Sequence, residues 1–324
     1  METTHDTRSL ERMAAPIRAL REAFVALTEP VRPALWRYCL RLSGSPWDAE
    51  DLVQETMLRA FARLSNFWQP LDDPRAYLFR VASNTWIDAL RRGAVPLDSL
   101  DDAPLPPAAD DPSLAVDLSD ALERLVALLP PRQRVIVLLV DVFDFTAREI
   151  GAMIGASEGA VRAALHRARE RLRDAHDVAE RPAGAPPSRE HRLVLARFVD
   201  AFNRRDAEAI LALLDPDASA DIVHVAEEHG RAVIGDQSLR EGFASPVPQR
   251  AELGALAGEP VVLVFATAPG EEEALAWMIR LGIVGGAVCT WRAYYFTPEL
   301  IRYAADQLGV RAAPAGYRYI APAA

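Results

Sequence analysis

The stretch Ser157 to Arg173, S-E-G-A-V-R-A-A-L-H-R-A-R-E-R-L-R, constrains the fold of this chain more than any other. Val161, Leu165, Ala168 and Leu172 recur at i, i+4, i+7 and i+11, the narrow apolar stripe of a helix packed on one side only. Ser157 offers an N-cap. Arg162, His166, Arg169 and Arg173 run along one flank of the stripe and Arg167 and Arg171 along the other, with Glu158 and Glu170 as the only acids. Just before it, Thr146 to Ile154 predicts a short helix, and Gly155-Ala156 a tight turn. Two short helices joined through a Gly-containing turn form a helix-turn-helix, whose second helix enters the major groove of DNA. A plain solvated Arg-rich face is the alternative, and the turn spacing weighs against it.

A length of 324 residues predicts two or three domains, and an apolar fraction of 50% is ample for packed cores. No run of about 18 apolar residues occurs and the N-terminus lacks an apolar signal core, so a soluble cytoplasmic protein is expected. Cys39 and Cys289 lie far apart, which predicts neither a disulfide framework nor a cysteine metal site. No cofactor or metal is expected. The net charge is −10, and residues 1–178 carry 22 Arg against 27 acids. A field of that sign repels DNA at long range, so binding must come from local basic patches or from a partner that supplies further contacts. This favours a subunit over a free-standing repressor.

The chain is punctuated twice. Residues 1–15 read as a flexible N-terminus, and 16–93 are helical with few breakers. Residues 94–117 hold Pro96, Pro104, Pro106, Pro107 and Pro112 among six Asp and no Arg, an extended acidic linker. Helices return over 118–178. A Pro-rich break at 179–188 precedes residues 189–324, whose two amphipathic helices (191–205 and 207–214), β-like runs (220–225, 260–267, 274–281 and 287–296) and closing helix (299–308) predict an α+β module.

Within the first helical domain, Asp48 to Phe61 has four acids in its first eight residues and no base there. Acids in a first turn suit the helix macrodipole, and they also suit docking to a basic partner. Farther on, Pro74 opens a helix on which Leu78, Val81, Ala82, Thr85 and Ala89 face one way. Arg80, Asn84 and Asp88 project together on the other side, beside Arg91. Asn and Arg can donate to base edges or phosphates. Asp88 either accepts from a base amine or tethers Arg92 or Asn84. The loop before this helix, residues 65–73, carries Asn66, Phe67 and Trp68 and can hold an unstacked base.

Taken together, D-A-E-D-L-V-Q-E-T-M-L-R-A-F (48–61), P-R-A-Y-L-F-R-V-A-S-N-T-W-I-D-A-L-R-R (74–92), L-P-P-R-Q-R-V-I-V-L-L-V (129–140) and the helix-turn-helix at 146–173 resemble the extracytoplasmic-function (ECF) class of bacterial RNA polymerase sigma factors of the sigma-70 family. The resemblance covers roughly residues 17–177. It implies a region 2 helical bundle at 16–93 and a region 4 helix-turn-helix at 118–178. It implies further that Asp48, Glu50, Asp51, Gln54 and Glu55 meet the clamp helices of the polymerase's largest subunit. Asn66, Trp68, Arg80, Asn84, Asp88 and Arg91 would lie where the family reads the melted minus-ten element. Ser157, Arg162, His166, Arg167 and Arg169 would lie on the helix that faces the minus-thirty-five element. Where many relatives place a polar or basic pair, this chain has Ala163-Ala164, of which only Ala163 can reach DNA, against a thymine methyl.

Residues 189–324 exceed a minimal sigma factor. The run Leu195 to Leu214 and the strands after it are similar to SnoaL-like, ketosteroid-isomerase-type cone domains, and the resemblance implies an attached regulatory module in contact with the sigma domains. Asp221, His224, Glu227 and Glu228 are acid/base candidates, and Trp277, Trp291, Tyr294 and Tyr295 are candidate pocket walls. An enzyme needs a carboxylate and a proton donor converging on one molecule, and spacing alone establishes no such convergence. The expected chain is therefore a non-enzymatic multidomain protein: two all-α domains, then an α+β cone. Its expected partners are core polymerase and promoter DNA. The alternative is a stand-alone helix-turn-helix regulator with a ligand-sensing cone, for which the 48–61 and 74–92 motifs would be superfluous.

Overall fold

In the computed structural model the described residues are 19–20, 22–66, 73–92, 128–174 and 188–313. The expected flexible N-terminus, the acidic linker and Trp68 lie outside them. The chain divides into two compact units, Met1–Glu180 and Arg181–Ala324.

Among its described residues the first unit is helical, its main elements being α1 (Arg32–Ser43), α2 (Pro46–Asn66), α3 (Pro74–Arg92), α4 (Pro131–Asp141), α5 (Ala147–Ile154) and α6 (Glu158–Asp174). Pro46, Pro74 and Pro131 each open a helix, where the missing N–H costs no hydrogen bond and the fixed φ is already helical. The core is built from Leu35, Trp36, Tyr38, Cys39 and Leu42 of α1, Trp47, Val53 and Ala60 of α2, and Leu78, Phe79 and Ala82 of α3. On α3 the buried set extends to Tyr77, Ser83, Thr85, Trp86 and Ile87, whereas Val81 is half-buried and Ala89 exposed. The face is wider than one apolar stripe because α3 is packed from two directions, by α1 and α2 and by α4 and α5.

That second packing joins two segments that the sequence presents as separate bodies. Phe143, just after α4, sits edge-on to Tyr38 and Phe79, with ring centroids 5.4 and 5.0 Å away, and Phe145 lies 5.3 Å from Phe79. Two arginines close the seam. Arg75 donates to the carbonyl of Phe143 and lies over the Phe145 ring at 4.6 Å. Arg134 donates to the carbonyl of Leu42 at 2.7 Å and covers the Trp86 ring at 5.3 Å. Aromatic burial supplies the area and the cations satisfy carbonyls at the ends of helices, where partners are otherwise lacking.

The second unit has the expected α+β architecture. α7 (Arg189–Asn203) is capped by Ser188, and α8 (Ala207–Leu211) by Asp206. β1 (Leu214–Ile222), β2 (Ala226–His229), β3 (Gln249–Leu256), β4 (Glu259–Ala266), β5 (Ala274–Val284) and β6 (Ala287–Tyr294) form one sheet in the order β2-β1-β6-β5-β4-β3. The β1–β6 pair is parallel and the others antiparallel. One face of the sheet, with Val262, Val264, Ile279, Trp291 and Ala293, packs on Val194, Leu195, Phe198 and Phe202 of α7. Against β3 and β5 lies α9 (Pro298–Leu308), burying Leu300, Ile301, Ala304 and Ala305.

β3 carries no regular alternation in its sequence and stands at the sheet edge. There the Asn203 side-chain amide donates to the Ala251 carbonyl at 2.9 Å and accepts from the Ala251 N–H at 2.8 Å. The edge is thus paired at that residue by a side chain. Among the described residues no helix is long and apolar enough to cross a membrane.

Candidate nucleic-acid interface

The helix-turn-helix is built by local chemistry. Thr146 and Glu149 form a reciprocal capping box at the start of α5: the Glu149 N–H donates to the Thr146 hydroxyl and the Thr146 N–H to the Glu149 carboxylate. The Thr146 hydroxyl also donates to the Glu149 carboxylate at 2.6 Å, and this bond first, then that from the Thr146 N–H, holds the Glu149 carboxyl below its usual value. α5 ends at Gly155, whose φ of 69° is left-handed. The chain then turns so tightly that a Cβ on Gly151 would stand 2.6 Å from the Ala156 carbonyl oxygen. Ser157 caps α6, accepting from the Ala160 N–H at 3.1 Å.

α6 buries Val161, Ala164, Ala168 and Leu172, with Leu165 half-buried. Ala164 therefore belongs to the packed stripe. Its small size lets the helix lie close to its support, and Ala163 is half-buried beside it. The opposite ridge is exposed. Arg162, 51% exposed, pairs with Glu158 at 2.7 Å, and His166 lies 3.6 Å from Glu170. Arg167 is half-buried. Arg169 departs from the expected DNA-facing set: it is 19% exposed and binds Asp141 at the end of α4 with both Nη2 and Nε. Its guanidinium is turned inward because a buried carboxylate at the end of the supporting helix requires a partner. Arg171 likewise donates to Gln133 of α4.

On α3, Arg80 lies over the Tyr77 ring at 5.1 Å, and Asp88 pairs with Arg91 at 3.4 Å. Asp88 therefore has a tether, to Arg91, while Arg92 donates to the Asp88 backbone carbonyl. Asn84 is exposed and donates to the Met153 carbonyl near the end of α5 at 3.4 Å. Asn66 ends α2, so the segment expected as a loop from residue 65 begins as helix.

The acidic helix α2 divides its acids by side. Asp48 is exposed, Asp51, Gln54 and Glu55 are half-buried, and Glu55 pairs with Arg59 at 2.6 Å. Glu50 corrects the expectation of a surface residue, because it is fully buried, accepting from Arg32 at 3.0 Å and from the Trp36 indole at 2.9 Å. Its position beside Ala49 and Val53 on the packed side of α2 explains the difference: there a carboxylate must find donors.

In the second unit the acid/base candidates are divided, Asp221 and Glu227 being cross-strand partners on one face of the sheet and Glu228 lying on the other. Asp221 pairs with Arg292 at 2.8 Å on one face of the sheet, while Glu228, opposite Ala220, is buried on the other and accepts from Ser238 at 2.9 Å. Glu227 is exposed beside His229, and His224 holds a left-handed φ of 73° at the β1–β2 turn. Trp277 stacks on Tyr295 at 4.0 Å and Trp291 meets Phe198 edge-on at 5.3 Å, both within the core cluster. Among the described residues no group of His, Cys, Asp and Glu could hold a metal ion.

Comparison with known proteins matches this order of elements. The Sigma-70 region 2 family profile covers residues 27–94 and that of Sigma-70 region 4 covers residues 119–172. The ECF RNA polymerase sigma factor SigF of Caulobacter vibrioides is 37% identical over 163 residues, spanning 48% of this chain and 83% of that protein. The chain belongs to the ECF sigma factor family. SigG, an ECF sigma factor of Mycobacterium tuberculosis, is 36% identical over 222 residues, and the chain spans 60% of the length of that relative. The crystal structure of Mycobacterium tuberculosis SigJ, also an ECF sigma factor, aligns over 86% of this chain and 98% of its own at 24% identity, with a TM-score of 0.33.

For an ECF sigma factor, the seam residues Arg75, Arg134, Phe143 and Phe145 are what reading by motif overlooks. No local spacing marks them, since their partners lie 68 residues away for Arg75 and 92 for Arg134. The capping box was within reach, because T-x-x-E before an apolar run is its signature.

Proposed function

We propose that this chain is a promoter-specificity subunit of bacterial RNA polymerase, using α6 to read an upstream element as duplex and α3 to read a downstream element once melted. The observation that carries this reading is the capped helix-turn-helix with its exposed Arg162–His166 ridge, in one chain with an acid-bearing α2. Asp48, Asp51, Gln54 and Glu55 form the polymerase-docking surface in this reading, and Arg162, His166 and Arg167 the upstream contacts. Arg169 and Arg171 brace the recognition helix from behind. A major-groove helix can address only closed pairs, whereas a base taken out of its stack needs a separate surface, so two readers on one chain fit promoter opening. Because Asn84 donates to Met153, the downstream reader must shed an internal partner before it meets DNA.

Residues 189–324 are a regulatory module in this proposal, with no catalytic role, since Asp221 is ion-paired with Arg292 and Glu228, on the other face of the sheet, accepts from Ser238. The test is run-off transcription with purified core polymerase. The full chain should give a promoter-dependent start that core alone does not, and removal of 189–324 should change its strength while polymerase binding persists. A chain that binds promoter DNA alone but directs no start with core would instead be a free-standing regulator.

A further inference from the structure

The exposed ridge of α6 carries an acid where a DNA-reading helix has least use for a mere solvated charge. Glu158 stands in the first turn, the part of a recognition helix that meets base edges. Its Oε1 accepts from Nη2 of Arg162 at 2.7 Å, one turn along. Both side chains are about half exposed and nothing buries the pair. An exposed i,i+4 bridge adds little to helix stability, while a carboxylate at the mouth of the groove repels the phosphates on either side. The macrodipole favours an acid in this first turn, but only modestly when it is exposed, and non-specific affinity is harmed by it.

Base readout accounts for both. A guanidinium has five N–H donors, so one given to Glu158 leaves enough for a bidentate contact with guanine O6 and N7, now from a fork held in one orientation. The Glu158 carboxylate has acceptor sites beyond the one Arg162 occupies. In the major groove its complement is an exocyclic amine, above all cytosine N4. The two heads touch, so they address the same or adjacent base pairs. One turn farther along, His166 and Glu170 repeat the spacing at 3.6 Å, but Glu170 stands three turns from the start of the helix, past the residues that reach bases.

Resting on the sigma-factor reading above, we infer that Glu158 is a specificity-determining residue: it orients Arg162 onto a guanine of the upstream element and itself accepts from the amine of a cytosine in the same or the adjoining pair. Neither Ala163 nor Ala164 can supply such polar discrimination.

The test uses holoenzyme reconstituted from the full chain and core polymerase, presented with promoters randomised across the upstream element. Wild type should select a guanine with a cytosine at that step. Glu158→Gln, which keeps shape but removes the charge, should lose preference at the cytosine by about tenfold, weaken the guanine preference less, and bind unrelated duplex more tightly. A variant that merely damaged the helix would bind all DNA less well. Unchanged selection by Glu158→Gln would overturn the inference while leaving the sigma-factor reading intact. Failure of wild-type holoenzyme to select any promoter would overturn that reading instead, and the inference with it. As a second variant, Arg162→Ala should reduce the guanine preference sharply, and Glu158→Gln added to it should bring no further loss there. A further loss of that preference would show that Glu158 does not act through Arg162 and would overturn the orienting role.

Discussion

Arg75 at the start of α3 donates its guanidinium to the carbonyl oxygen of Phe143, 68 residues farther along the chain, at a distance of 2.5 Å. The same side chain covers the Phe145 ring, so one arginine spans the seam between the helices of region 2 and those of region 4. Arg75→Ala should weaken that seam by about 1–2 kcal/mol, the loss of a charged hydrogen bond and a cation–π contact. Hydrogen exchange should quicken in peptides covering residues 74–92 and 142–154 and stay unchanged in 191–203. Equal protection in Arg75→Ala and wild type would mean that the aromatic contacts alone hold the seam.

Glu50 and Glu55 lie on one helix with opposite tasks. Glu50→Ala strips partners from Arg32 and the Trp36 indole in a dry setting, and unfolding in urea should show a loss of about 2–4 kcal/mol. Glu55→Ala removes only an exposed pair with Arg59 and should stay within about 0.5 kcal/mol of wild type, while core polymerase binding falls. The reverse pattern would place the docking surface elsewhere.

Gly151→Ala puts a methyl group against the Ala156 carbonyl oxygen, and backbone on both sides must give way. A stability loss of about 1–3 kcal/mol is expected, with weaker binding to upstream-element duplex because α6 is no longer presented at the same angle. Gly155→Ala acts through its left-handed φ instead and should cost about 1–2 kcal/mol. Calorimetry paired with fluorescence anisotropy on a short duplex would separate the two effects.

The capping box makes the helix-turn-helix sensitive to acid. The Glu149 carboxyl is held below its unfolded value by the Thr146 hydroxyl and N–H. Its contribution is therefore complete above the unfolded pKa and is lost as pH falls through the lower folded one. Thr146→Ala should lower the melting temperature near neutral pH, and the gap to wild type should narrow as pH falls through and below the ordinary carboxylate range, leaving the part owed to the hydroxyl's cap on the Glu149 N–H. A gap that stayed constant across that range would assign the loss to helix capping by the hydroxyl alone.

Much of this architecture is legible in sequence because it is local. The stripe on α6, the Ser157 cap, the Gly155 turn and the proline-led helices each follow from residues within a few positions of one another. What escapes is set at a distance. Glu50 looks like its neighbours Asp48 and Asp51 until α1 brings Arg32 and Trp36 over it. Arg169 looks like Arg162 until Asp141 turns it inward. Strand β3 mixes Gly254 with an exposed Leu253 and a half-buried Glu252, so no period of two announces it, and only pairing with β4 makes it a strand.

The bond pair between Asn203 and Ala251 has a consequence for the behaviour of the chain in a crowded cell. A sheet margin invites any passing polypeptide to align with it and so begin an aggregate. At Ala251 that invitation is withdrawn, because a side-chain amide already occupies both hydrogen-bonding positions. Asn203→Ala should thus show itself less in the unfolding temperature than in how long the protein survives at high concentration.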